Sequence, residues 1–178
     1  NRNLIRIVPL GTLNATGSSD ILVGTYSDDL IAAGEGDDET YGLAGNDTIL
    51  GETGNDSLFG GDGADALTGG DGDDSVFGGS GDDLLVGGDG AGDDLYDGGI
   101  GIDTVKYTSA TAGIIVNLSL GSAAAFDGND AAGIGVDQLI SIENIIAGNY
   151  DDQLTGNVSN NDIDGRDGVD TAYLSGAR

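Results

Sequence analysis

One position in nine carries the inward-facing signal. It reads Leu22, Ile31, Thr40, Ile49, Leu58, Leu67, Val76 and Leu85, then continues as Tyr96 and Val105 after a slip of two residues. Eight of these ten are aliphatic. The residues on either side face the opposite way, so each unit predicts a three-residue strand with its middle side chain inward. The other six residues of each unit are rich in Gly, Asp and Asn, the composition of a turn. A nine-residue unit cannot bury its apolar residue alone. It has to stack on copies of itself, which predicts an all-β solenoid. Two units complete one coil, so residues 18 apart stand above one another and their strands pair in parallel at about 4.8 Å.

The rhythm divides the chain into four. Residues 1–14 form a strand-like lead-in, Leu4-Ile5-Arg6-Ile7-Val8 before Pro9. Residues 15–109 hold ten repeats. Residues 110–146 lose the period and contain two strand-like runs, 113–118 and 139–146, around the short stretch 122–126. This non-repeat β segment is expected to pack on the roll or cap it. Residues 147–178 form a second short block that resumes the period.

A polar beat accompanies the apolar one. Asp20, Asp38, Asp56, Asp74 and Asp94 fall on one edge of the expected coil, and Asp29, Asp47, Asp65, Asp83 and Asp103 on the other. Asp152, Asn161 and Asp170 resume it. Glycines precede each aspartate, because the turn needs positive φ and close backbone approach. Stacked carboxylates repel unless a cation lies between them. Calcium suits such a site, since it takes six to eight oxygen ligands and accepts carbonyls with carboxylates. Zinc would want nitrogen or sulfur donors.

Composition narrows the function. Acidic residues outnumber basic ones 32 to 5, for a formal charge of -27. Such a chain repels itself and needs cations to close. Nucleic acid is excluded as a partner, because its phosphates would be repelled. There is no Cys and no His, so thiolate metal sites, disulfides, Ser-His-Asp triads and imidazole bases are excluded and no catalysis is expected. No apolar run is long enough to form a transmembrane segment. The chain begins Asn1-Arg2-Asn3 and ends Gly176-Ala177-Arg178, which reads as a fragment or processed product.

The clearest units are Gly60-Gly61-Asp62-Gly63-Ala64-Asp65-Ala66-Leu67-Thr68, Gly69-Gly70-Asp71-Gly72-Asp73-Asp74-Ser75-Val76-Phe77 and Gly78-Gly79-Ser80-Gly81-Asp82-Asp83-Leu84-Leu85-Val86. They resemble the repeats-in-toxin (RTX) family of hemolysin-type calcium-binding nonapeptides, G-G-x-G-x-D-x-U-x with U apolar. The resemblance implies a right-handed parallel β-roll, folding on calcium after type I secretion by a bacterium, and an extracellular or cell-surface location. It implies about eight calcium ions in the main roll, between same-side turns. The carboxylate ligands would be the ten edge aspartates with Asp152 and Asp170. Backbone ligands would come from the turns holding Gly34, Gly36, Gly45, Gly54, Gly61, Gly63, Gly70, Gly72, Gly79, Gly81, Gly88, Gly99 and Gly101. Worn units weaken this pattern around Ala15 to Ser27, at the Ala91-Gly92 insertion and at Asn161.

One outward feature lies beyond the motif. Tyr41, Phe59 and Phe77 stand 18 apart and form an aromatic ladder on one sheet. The preferred expectation is that residues 110–146 fold back over it. The alternatives are a protein partner or self-assembly through the ladder, and simple exposure with ring stacking. The function expected is a calcium-binding structural module of a secreted protein. Alternatives are an adhesin or surface-lattice segment, or the non-catalytic part of a secreted RTX enzyme.

Overall fold

In a computed structural model, residues 3–6, 12–15, 17–87, 90, 92–126 and 132–174 are described. They form nineteen strands and, among the described residues, no helix. The chain opens with β1 (Asn3–Arg6), β2 (Thr12–Asn14), β3 (Asp20–Val23), β4 (Leu30–Glu35), β5 (Glu39–Ala44) and β6 (Thr48–Thr53). It continues through β7 (Ser57–Asp62), β8 (Ala66–Asp71), β9 (Ser75–Ser80), β10 (Leu84–Val86), β11 (Leu95–Ile100) and β12 (Thr104–Lys106). Beyond the main repeats come β13 (Ile114–Asn117), β14 (Ser122–Ala125), β15 (Val136–Ile140) and β16 (Asn144–Ile146). The last are β17 (Gln153–Thr155), β18 (Ile163–Asp164) and β19 (Thr171–Tyr173).

From β1 to β12 successive strands alternate between two parallel sheets, so the chain is a solenoid of stacked coils. Thr40 pairs with Leu58 and Leu58 with Val76, a register of 18. Val76 pairs with Tyr96, a register of 20 that absorbs the two-residue insertion. The inward row from Leu22 to Val105 is buried throughout. Part of the lead-in, including Ile7 and Val8, lies outside the described residues. Leu4 pairs with Ile21, so the lead-in supplies a first coil.

The strands are longer than the three residues predicted. In β4 to β9 and β11 each runs for six, because the first three residues of the next turn also pair with their copies. Gly61 pairs with Gly79 and Asp62 with Ser80. Only about half of the expected turn is left to bend the chain. Gly63 shows why that bend excludes side chains: its φ is 134°, and a Cβ would lie 2.0 Å from the Gly45 carbonyl oxygen. Leu43 and Glu52 stand at the second position of their units and hold φ of 86° and 75°. A left-handed L-residue costs roughly 1–2 kcal/mol. The stack imposes the conformation whichever side chain is present.

The described residues of 110–146 are placed beyond the last repeat strand and not over the aromatic ladder, while residues 127–131 lie outside the described residues. The described part extends the roll edgewise instead. Strand β15 pairs in parallel with β11, then β14 and β13 run antiparallel beside it, and β17 pairs with β13. Ile114, Val116, Ala123, Leu139 and Ile145 join the same buried core. The run 139–146 breaks at Ser141, where φ is 51°, and β15 and β16 enter opposite sheets. Residues 122–126, unassigned from sequence, supply β14. Tyr41, Phe59 and Phe77 stack on each other with centroids 4.9 and 5.0 Å apart and planes within 9°. The Tyr41 hydroxyl also donates to Glu39. Mutual stacking of this kind stabilises cross-strand neighbours.

Thr40 is the weak point of the core row. Its hydroxyl is fully buried and has no partner, a condition costing about 1–3 kcal/mol. Replacing Thr40→Val keeps the shape and removes the orphaned group. In saturating calcium the variant should be more stable by about 1–3 kcal/mol in denaturant titration. An equal or lower midpoint would show that the hydroxyl is satisfied.

Candidate metal centre

Each repeat aspartate spends its two carboxylate oxygens differently. The Oδ1 atom accepts the backbone N–H of the aspartate one coil earlier. Asp38 accepts from Asp20 at 2.6 Å, Asp56 from Asp38 at 2.7 Å, Asp65 from Asp47 at 2.7 Å and Asp83 from Asp65 at 2.8 Å. The carboxylate therefore clips adjacent coils together before any ion is considered. The Oδ2 atoms of Asp38, Asp47, Asp56, Asp65, Asp74, Asp83, Asp103 and Asp152 are buried with no hydrogen-bond partner.

The space beside these oxygens is kept open by the first glycine of the unit, which the sequence reading did not single out. A Cβ at Gly60 would lie 2.4 Å from Asp65 Oδ2 and 2.6 Å from the Gly78 carbonyl oxygen. Gly42 meets Asp47 Oδ2 at 2.3 Å and the Gly60 carbonyl at 2.5 Å; Gly51 meets Asp56 Oδ2 and the Gly69 carbonyl in the same way. An unpartnered carboxylate oxygen and a carbonyl oxygen from the neighbouring coil thus converge on one point. The spacing of five residues from glycine to aspartate was the signal available in sequence.

A second ladder was also missed. Where the residue before the aspartate is Asp or Asn, its side-chain oxygen accepts the N–H of the residue at the same place in the next coil. Asn46 N–H donates to Asp28 at 2.8 Å, Ala64 to Asn46 at 2.9 Å, and Asn55 to Asp37 at 3.0 Å. The two ladders run in opposite directions along the roll. They explain why Asp or Asn recurs at that position without an ion being involved.

The glycines named as marking the backbone-ligand turns share one backbone conformation. Gly34, Gly36, Gly45, Gly54, Gly61, Gly63, Gly70, Gly72, Gly79, Gly81, Gly99 and Gly101 all hold positive φ, while Gly88 lies outside the described residues. The predicted carboxylates are less uniform. Asp29 Oδ2 takes the N–H and hydroxyl of Thr25 at 2.6 and 2.9 Å. Asp94 Oδ2 takes the Tyr96 hydroxyl at 2.9 Å. Asp20 is buried at the start of the roll. Asp170 Oδ1 receives the Asp152 N–H at 3.0 Å. At the position of Asn161, the amide donates to the Glu143 carbonyl at 2.7 Å, so nitrogen-bound hydrogens stand in for the charge. Asp137 and Glu143, neither of them singled out from sequence, take the carboxylate places beyond Asp94 and Asp103.

Burial, more than mutual repulsion, sets the electrostatics. It pushes the Asp47 and Asp56 carboxyls up to about 6 and those of Asp74 and Asp83 up to about 7, with neighbouring aspartates adding a smaller increment and the accepted N–H opposing it. Stacked charge is thus the lesser part of the problem. An ionised oxygen without a donor in a closed turn is the greater part.

These residues fit a calcium ion. The unpaired Oδ2 and converging carbonyl supply hard oxygen ligands, which calcium prefers in numbers of six to eight. Among the described residues no three acidic side chains gather at one point, so any such site draws on backbone carbonyls. That composition disfavours magnesium, which keeps its waters. Bound calcium would supply two positive charges at the unpaired oxygens. The protein supplies preformed spacing and excludes side chains from the cradle.

A pH dependence follows. A carboxyl with a raised folded pKa stabilises the fold fully below its ordinary value of 3.8, and that contribution is lost as pH rises through about 6 to 7. In chelator, the β-sheet signal should therefore be stronger near pH 4.5 than near pH 7.5. With calcium, protons compete for the same oxygens, so more calcium is needed as pH falls. More β-structure in chelator at the higher pH would contradict this.

Comparison with known families agrees with the geometry. A family profile described as the RTX calcium-binding nonapeptide repeat, four copies, matches residues 14–49, 41–76, 59–91, 68–105 and 141–172. The last match begins at Ser141, inside the segment where the period had been lost. No curated protein matches the chain. Together the matches cover well over half of the sequence, and the chain belongs to the RTX family of calcium-binding nonapeptide-repeat proteins.

Proposed function

We propose that this chain is a calcium-responsive folding module of a secreted bacterial protein. It stays open where calcium is scarce and closes into the roll outside the cell, where calcium is plentiful. The observation supporting this is the row of buried Oδ2 atoms without donors, from Asp38 to Asp83. At neutral pH each either carries charge that water cannot reach or holds a proton against its ordinary tendency to lose it. Leaving one such charge buried and unpaired costs several kcal/mol, against a typical domain stability of about 5–15 kcal/mol. The ordered roll is therefore inaccessible to the ionised chain without cations.

The proposed ligands are the Oδ2 atoms of the aspartates on both edges, with the carbonyl of the first glycine in the following coil. One ion for each unpaired Oδ2 would cancel more than half of the formal charge of -27. The same chemistry gives the module its switch. Binding energy becomes folding energy because the cradles exist only between stacked coils. The module is non-catalytic, and its work is to make folding conditional on the compartment.

Circular dichroism at neutral pH tests the reading. The chain should show little β-sheet in chelator, acquire it at millimolar calcium, and lose it again when chelator is added in excess. Unchanged β-structure after complete removal of calcium would overturn the proposal.

A further inference from the structure

The two edges of the roll end differently where the repeats meet the non-repeat block. On one edge every carboxylate oxygen has a donor. Asp94 Oδ1 accepts the Asp74 N–H at 2.8 Å and Oδ2 accepts the Tyr96 hydroxyl at 2.9 Å. Asp137 Oδ1 accepts the Asp94 N–H at 3.1 Å and Oδ2 the Tyr107 hydroxyl at 2.7 Å. The cradle beside them is filled as well. A Cβ at Gly87, the first residue of that unit, would strike the Tyr107 ring at 2.6 Å, where its counterparts meet oxygens. Ring and hydroxyls occupy the place of an ion.

The other edge stays open. Asp103 is 0% exposed, its Oδ1 accepts the Asp83 N–H at 2.9 Å, and its Oδ2 has no donor. A Cβ at Gly98 would lie 2.6 Å from that Oδ2 and 2.3 Å from the carbonyl oxygen of Ser141. This is the pair of oxygens that Gly78 faces within the repeats, 2.4 Å from Asp83 Oδ2 and 2.6 Å from the Gly98 carbonyl. Ser141 therefore stands where the next repeat's first glycine would be. Glu143 Oε2 accepts the Asp103 N–H at 3.0 Å, the role that the next repeat's aspartate would play. Glu143, Asp82 and Asp97 all add negative potential at Asp103.

We infer that Gly98, Asp103, Ser141 and Glu143 form a calcium site completed by the non-repeat segment, while the facing edge at Asp94 and Asp137 binds none. The inference rests on the calcium reading of the repeats. Its consequence is a clip between segments about 40 residues apart, which would help to offset the entropy of closing that loop. Calcium would then fasten the non-repeat block to the roll on one side only. On the other side the Tyr107 hydroxyl, donating to Asp137, holds it without an ion.

Native mass spectrometry of the calcium-loaded chain tests the assignment. Asp103→Asn keeps the acceptor for Asp83 and replaces the bare oxygen with an amide; it should bind one ion fewer than the unmutated chain. Asp137→Asn should bind the full number. A full count for D103N, or a missing ion in D137N, overturns the inference. If D103N fails to fold, crystals of the unmutated chain grown in calcium give the same decision by anomalous scattering. A peak beside Asp103 Oδ2 and the Ser141 carbonyl, with none beside Asp94 and Asp137, supports it. Peaks on both edges, or on neither, overturn it. Calcium along Asp47 to Asp83 without a peak at Asp103 sinks this inference alone, whereas no bound calcium anywhere sinks the reading of the repeats too.

Discussion

A carboxylate oxygen buried without a donor is the constraint on which the rest of the roll depends. The fold needs an aspartate at the sixth place of each unit, because its Oδ1 receives the N–H of the previous coil. Closing that hydrogen bond carries the second oxygen inside as well. The first glycine leaves open space beside it, and the next coil directs a carbonyl into the same space. Hydrogen bonding and glycine placement are therefore one arrangement, and the proposed ion binding uses the space that they leave.

The exceptions show the constraint as clearly as the rule does. Where Oδ2 is not left bare, a different group neutralises it: Thr25 at Asp29, Tyr96 at Asp94 and Tyr107 at Asp137. Asn161 solves the problem by carrying its own hydrogens. These substitutes fall where the nonapeptide pattern is worn or where the roll meets another segment. On the proposed reading the roll has ion-dependent cradles from Asp38 to Asp83 and at Asp103 and Asp152, and cradles closed by hydrogen bonds at Asp29, Asp94 and Asp137. Unfolding in limiting calcium should be uneven along the chain, with local stability set by which solution each coil uses.

Much of this was legible in the sequence because period 18 determines so much at once. Stacking order, the inward row and the two aspartate edges all follow from it, and the register of Thr40 with Leu58 is a direct expression. What was not legible lay in backbone reach and in contacts that break the period. The first three turn residues extend the strands because identical backbones pair regardless of side chain, as at Gly61 and Gly79. Asp137, Ser141 and Glu143 were hidden because they meet the repeats from 40 to 43 positions away. The rings of the aromatic ladder lie against each other, and the described strands of 110–146 pair beyond β11 instead of over it.

The account stands most directly on the space beside Gly60. Gly60→Ala leaves every proposed ligand atom in the chain, but its methyl would lie 2.4 Å from Asp65 Oδ2 and 2.6 Å from the Gly78 carbonyl, so it fills the cradle and forces the neighbouring coil to shift. The measurement is a calcium titration of the full chain at neutral pH, followed by its β-sheet signal. The account predicts that the midpoint moves to higher calcium by at least about tenfold, equivalent to about 1.4 kcal/mol. An unchanged midpoint would mean that nothing binds in the cradle, and that the buried oxygens of this roll are satisfied in some other way.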